Sequence, residues 1–185
     1  MSHQGHAERT HSPHWTGHHH SPDLIQGDKD SGFQISAKAL DITWGNDERF
    51  WQWVGLDESR LKFQEGAELI QVNWVEVKGK LEAAKLSPSK TYEVFYIIKF
   101  KADAFGWHSS PITFEVKAPH GNRNAKTELL EPYRKICNVW HEVHGGEFTL
   151  TSNTGANVEF GMSGDGSGWW KGGMILGGIM IKPKS

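Results

Sequence analysis

Between Ile42 and Trp53 the chain reads Ile-Thr-Trp-Gly-Asn-Asp-Glu-Arg-Phe-Trp-Gln-Trp, setting Trp44, Trp51, Trp53 and Phe50 among polar residues with no apolar run long enough to bury every ring. Rings held at a surface offer large, rigid contact area at small entropic cost. The interleaved Asn46, Asp47, Glu48, Arg49 and Gln52 can orient a hydroxyl-rich partner by hydrogen bonds. That combination suits carbohydrate, with Trp44 and Trp51 stacking and Asn46, Asp47 and Arg49 reaching hydroxyl and amide groups. The competing reading places any one of these rings in the core of a β protein, because Trp is highly buried on average. Trp51 and Trp53 are two apart, so on a strand both point to one side and Phe50 to the other, and Trp53 is expected in the core. In a loop that parity lapses, and Trp44 and Trp51 can converge without sharing a strand.

Other chemistry is weaker. Glu142 and Glu147 could be read as the paired carboxylates of a glycosidase, but Gly145-Gly146 intervenes and no Ser-His-Asp order or metal-ligand constellation accompanies them. No enzyme, metal or cofactor is expected. Seven of the eleven histidines fall before residue 32. His18 to His20 could hold Zn, Ni or Cu weakly, yet no spacing defines a tetrahedral site, and a solvated tail is the simpler reading. The single Cys137 cannot form an intramolecular disulfide and reads as a small apolar filler, with only Arg134 and Lys135 nearby to activate it.

A chain of 185 residues is long enough for one well-buried domain. Its net charge of −2 and pI near 6.6 lack the electrostatic footprint of nucleic-acid binding, although Lys78, Lys80, Lys85, Lys90 and Lys99 could cluster on folding. The first residues have neither the apolar stretch of a secretory signal nor the character of a transit peptide, and no segment approaches the ~20 apolar residues of a membrane span. A cytoplasmic protein is expected.

Residues 1–31, rich in His, Ser, Pro, Gly and Asp, read as a disordered tail, and residues 32–185 as one domain. From Phe33 onward short β-like runs alternate with turn signals. The predicted strands are 33–40, 69–81 with a register change or bulge, 91–101 as the central strand, 112–117, 126–130, 139–144, 147–150, 157–162 and 174–182. Turns fall at 119–122, 144–147, 152–155 and 163–168, where Gly and Asn tolerate positive φ. Only 57–67 could hold a short helix. Trp74, Trp107 and Trp140 read as packing residues, and Trp169 and Trp170 as either a second surface or a loop anchor. The whole reads as an all-β, antiparallel two-sheet sandwich whose strand order is not legible.

The order of these segments resembles the plant phloem protein 2 family, which includes the Nictaba-related lectins. Ala37 to Trp53 is similar to the family's opening motif and Ala67-Glu-Leu-Ile-Gln-Val-Asn-Trp-Val-Glu-Val-Lys-Gly-Lys to its second, with Leu86-Ser-Pro following. Tyr92 to Phe100, Phe105-Gly-Trp, Trp140-His-Glu-Val-His-Gly-Gly-Glu-Phe and Trp170 to Lys184 match the later blocks. The resemblance covers about Phe33 to Lys184. It implies a jelly-roll β-sandwich like carbohydrate-binding modules, and binding of N-acetylglucosamine oligomers (chito-oligosaccharides, the N-glycan core) or of N-glycosylated proteins. Carried over by position, the sugar-binding tryptophans are Trp44 and Trp51 and the acidic contact is Glu142, with Glu147 the weaker candidate. His141 and His144 flank Glu142 and would alter its polarity and pH response. A homodimer is suggested by family analogy alone. A cytoplasmic, nucleocytoplasmic or sieve-element location follows from the same source. The alternative is a phloem structural or RNA-associated protein with weak or no glycan binding.

Overall fold

The computed structural model describes residues 12–57, 59–119, 123–152, 155–164 and 166–185. Thr91–Phe105 forms the longest strand, β7, because β-branched and aromatic residues occupy nearly every position. Its alternate residues Tyr92, Val94, Tyr96, Ile98 and Phe100 are fully buried, facing the interior. Antiparallel to β7 run β10 (Trp140–Thr149) on one side and β12 (Gly172–Pro183) on the other.

β12 has two neighbours on its far edge. Its Met174–Leu176 stretch pairs with β5 (Glu65–Leu69), and Gly178–Ile181 pairs with β2 (Gly32–Ser36). The switch falls at a bulge beside Gly177 and Gly178. A Cβ on Gly178, at φ +154°, would sit 2.2 Å from the Ile35 carbonyl oxygen, so only glycine lets the backbones approach. β1 (Ile25–Asp28) extends the sheet beyond β2, and β4 (Trp51–Gly55) extends it beyond β5, giving seven strands.

The second sheet has five strands in the order β3-β6-β11-β8-β9, formed by Asp41–Ile42, Glu76–Glu82, Asn157–Gly164, Ile112–Lys117 and Arg123–Glu128. The two inner faces make one core. Tyr96 of the first sheet meets Phe114 of the second at 5.1 Å between ring centroids, and Gly145 leaves room for the Tyr96 ring. The architecture is an all-β jelly-roll sandwich, as expected. Among the described residues no helix is long and apolar enough to cross a membrane.

Several local expectations are corrected. Residues 12–31 are not a disordered tail. Trp15 exchanges two backbone hydrogen bonds of 2.9 Å with Ile42, β1 pairs with β2, and Gly17 is buried against the backbone of Ala39 and Leu40. A few apolar anchors, Trp15, Leu24 and Ile25, outweigh the polar composition of this strap. Residues 1–11, with His3, His6 and His11, lie outside the described residues, as do parts of the turns at 119–122, 152–155 and 163–168. The 69–81 run breaks rather than bulges: β5 ends at Leu69 and β6 begins at Glu76, because the chain crosses between sheets. The two runs at 139–150 are one strand with an irregularity between His144 and Glu147.

The described part of 57–67 is not helical. Trp140 Nε1 donates to the Asp57 carbonyl at 2.8 Å, Lys62 N donates to Gln34 Oε1 at 2.9 Å, and Leu61 is buried over Gly177 and Gly178. These tertiary contacts override local helix propensity. Among the described residues the α-helical turn, α1, is Glu131–Arg134, where Pro132 fits the first turn, and Ala37–Ala39 and Ala83–Lys85 form 3-10 turns.

The Tyr96 hydroxyl is buried with no hydrogen-bond partner among the described residues, and burial pushes its ionisation well above the ordinary tyrosine range. Removing an unsatisfied buried hydroxyl recovers its desolvation penalty, so Tyr96→Phe is expected to raise stability by about 1 kcal/mol in urea unfolding. A loss of stability would show that the hydroxyl is in fact satisfied.

Candidate functional site

The opening motif folds as consecutive turns between β3 and β4. Gly45 N donates to the Ile42 carbonyl at 2.9 Å, and Asp47 N to that of Trp44 at 3.1 Å. Trp44 occupies the third position of the first turn at φ +65°, a conformation that favours Gly or Asn. A bulky residue there stores roughly 1–3 kcal/mol of strain and persists only where its surroundings hold it. Its amide donates to His14 Nδ1 at 2.9 Å. Its ring lies against those of His14 and Phe50 at centroid distances of 4.9 and 5.7 Å. Trp44 remains 36% exposed, so the strained backbone presents the indole to solvent.

A cleft of about 180 Å³ opens beside it, lined by Trp44, Arg49, Phe50, Val72, Asn73 and Trp170. Trp170 arrives from the far end of the sequence. Val72 and Lys171 exchange backbone hydrogen bonds of 3.0 and 2.9 Å, and the buried Lys171 ammonium donates to the Trp169 carbonyl at 3.0 Å. That pairing fixes Trp170, itself 49% exposed, opposite the opening motif. Arg49 is held by Asp47 through Nε–Oδ1 at 3.0 Å and Nη2–Oδ2 at 2.7 Å, and it lies over the Phe50 ring. Hydrogen bonds from the Arg49 side chain and amide hold the Asp47 carboxyl below the usual carboxylate range.

The sequence-predicted residues divide. Trp44 and Arg49 line the cleft, and Asp47 orients Arg49. Asn46 turns to a neighbouring hollow of about 400 Å³ shared with Gly45, Glu48, Trp51, Gln52 and Trp53, and its Nδ2 donates to the Ser12 carbonyl. Trp51 is corrected: at 2% exposure it belongs to the core beneath the motif, because β4 turns its side chain inward at the first residue. Trp53 shares that face, packs against the core and meets Trp15 edge-on at 4.9 Å. Trp107 is fully buried, whereas Trp169 and Trp170 are exposed.

Glu142 is not beside Trp44. It lies on β10, four strand steps from β4 and thus roughly 19 Å across the sheet at ~4.8 Å per step. There it bonds Arg60 and, at 2.8 Å, Lys182. Burial raises its carboxyl, but hydrogen bonds from Lys182 and Arg60 outweigh this and leave it below the usual range. Glu147 pairs separately with Lys184 at 3.0 Å. Donor atoms of Glu93, His144 and Glu147 lie within 4.8 Å of one another, yet Lys126 and Lys184 already supply positive charge to them. Of the lysines considered from sequence, Lys78 pairs with Glu76, Lys85 with Glu82 and Lys90 with Asp30, while Lys99 lies over the Trp140 ring.

A model of the family described as Phloem protein 2 matches residues 30–183. The chain belongs to the phloem protein 2 family. Among similar proteins, the Arabidopsis thaliana Protein PHLOEM PROTEIN 2-LIKE A1 is 30% identical over 152 residues, covering 82% of this chain and 61% of that protein. A protein named Lectin from Luffa acutangula is 31% identical over 153 residues, covering 82% and 70%. The Arabidopsis Immune-associated nucleotide-binding protein 10 is 33% identical, covering 80% of this chain but 33% of that protein. The chain thus spans between a third and about three fifths of the length of several relatives that it matches. A structure of TmCBM61 in complex with beta-1,4-galactotriose is similar at a TM-score of 0.44 and 11% identity, covering 78% of this chain and 87% of that one.

Two members of this phloem protein 2 cleft were not singled out from sequence as partners of Trp44: Asn73, inside the second motif, and Trp170. The Gly-rich stretch before Trp169-Trp170 leaves open a second surface or a loop anchor, and the structure decides for the surface: both rings are exposed. Substitutions should separate presentation from support. Trp51→Ala is expected to lower stability by about 3–5 kcal/mol. Trp44→Asn, which suits the left-handed backbone, should change it by less than about 1 kcal/mol. Equal losses in chemical denaturation would contradict this division.

Proposed function

We propose that this domain is a carbohydrate-binding lectin recognising N-acetylglucosamine oligomers, with Trp44 as the stacking platform. The observation that carries the reading is the convergence of two exposed tryptophans, Trp44 and Trp170, on one cleft that also holds Arg49 and Asn73. An N-acetylglucosamine ring offers a C–H face and an acetamido methyl to an indole, while its hydroxyl and amide groups meet guanidinium and carboxamide. Burying ~100 Å² of apolar surface contributes about 2.5 kcal/mol before ordering costs, so one sugar binds weakly and successive residues add affinity. The relative from Luffa named Lectin supports the class of ligand. N-glycosylated proteins are the natural carriers of such a glycan, and a homodimer would add avidity.

Catalysis is the poorer reading. A glycosidase acid needs a raised carboxyl pKa, whereas that of Glu142 is lowered by its two cationic partners. The net charge of −2 and the acidic partners of Lys78, Lys85 and Lys90 count against the RNA-associated alternative. Calorimetric titration with N-acetylglucosamine oligomers of increasing length is expected to give affinity rising with length. Trp44→Asn and Trp170→Ala should each weaken it at least fivefold in folded protein. Unchanged affinity in both variants would remove the cleft from the account, and release of reducing sugar by substoichiometric protein would restore the enzyme reading.

A further inference from the structure

We propose that His14 is a positioning residue for the Trp44 cleft and makes its ligand binding pH-dependent. His14 lies on the strap that precedes residues 30–183, the stretch that matches the family. The inference rests on the sugar-binding reading for its ligand, but not for its first readout.

Three observations converge on one turn. The strap at 12–15 is locked to the opening motif by backbone bonds from Trp15 to Ile42 on both sides and from Asn46 N to the Pro13 carbonyl. It is further tied by Asn46 Nδ2 on the Ser12 carbonyl. Within this frame His14 Nδ1 accepts the Trp44 amide proton at 2.9 Å, and the imidazole lies 4.9 Å from the indole. Trp44 is also the residue held at φ +65° and left 36% exposed in the cleft wall.

A backbone N–H only donates, so the Nδ1 facing it carries a lone pair, and any ring proton sits on Nε2. Protonation converts Nδ1 to a donor pointing at a donor. The hydrogen bond is then lost, and one of the restraints on the strained Trp44 backbone goes with it. Imidazoles as a class change charge between about pH 8 and pH 5. The charged or titratable groups on the elements packed around His14 are Asp47, Glu48 and Arg49 of the opening loop and Glu76, bonded to Thr43. Along the strap they are His18, stacked on Trp15, and His19, paired with Asp41. Asp47 and Arg49 neutralise each other, and His19 and Asp41 form their own pair, while the Trp44 amide is bonded to the His14 ring nitrogen.

The test uses the full chain and two variants. His14→Asn places a non-titrating acceptor near the position of Nδ1, and His14→Phe keeps a ring without the acceptor. The first readout is the chemical shift and exchange protection of the Trp44 amide between pH 8 and pH 5. In wild-type protein both are expected to change as the pH falls. They should stay constant in the Asn variant, and the Phe variant should show the low-pH state throughout. The second is calorimetric affinity for an N-acetylglucosamine oligomer, expected to fall roughly three- to tenfold from pH 8 to pH 5 in wild type and to change little in the Asn variant. An amide that responds to pH while no oligomer binds would keep the positioning role and remove the sugar reading. A Trp44 amide indifferent to pH and to both substitutions would overturn the proposal, even if oligomers bind.

Discussion

The change of partner along β12 is the constraint on which the cleft depends. One strand pairs with β5 over its first half and β2 over its second, which requires a bulge and a glycine where a side chain would strike the Ile35 carbonyl. Because β5 is seated there, β4 is aligned beside it and Trp51 is driven into the core. Because β12 begins just before that pairing, Lys171 meets Val72 and Trp170 is delivered to the opening motif. Segments distant in sequence are brought together there by the backbone pairing of Val72 with Lys171.

Within the motif, labour is divided between support and presentation. Trp51 is buried, Trp53 packs on Trp15, and Phe50 backs the Trp44 ring. Trp44 is left strained and exposed, as expected of a residue whose placement matters more than its contribution to stability. Asp47 acts in the same indirect manner. Its carboxylate is bonded by Arg49 and so fixes the fork of the guanidinium over Phe50.

The sheet architecture was legible because period-two alternation in β7, β8 and β11 reports directly on which residues face the core. The strap was not, since its order comes from Trp15 and Gly17 fitting a surface that the sequence does not display. The 57–67 stretch misled for a related reason: its backbone partners are Gln34 and Trp140, far away in sequence. At the site, residue types pointed to Trp44 and Arg49, and parity alone could not decide whether Trp51 turned inward. Positional analogy put Glu142 with the tryptophans, but strand order sets it across the sheet, tied to Arg60 and Lys182.

The most direct test of a Trp44–Trp170 binding cleft is to follow indole N–H resonances while adding an N-acetylglucosamine oligomer to the folded chain. Saturable shifts at Trp44 and Trp170, with those of buried Trp107 and distant Trp140 unmoved, are the expected result. Shifts confined to Trp140 and its neighbours on β10 would place the ligand on the Glu142 face and contradict the cleft.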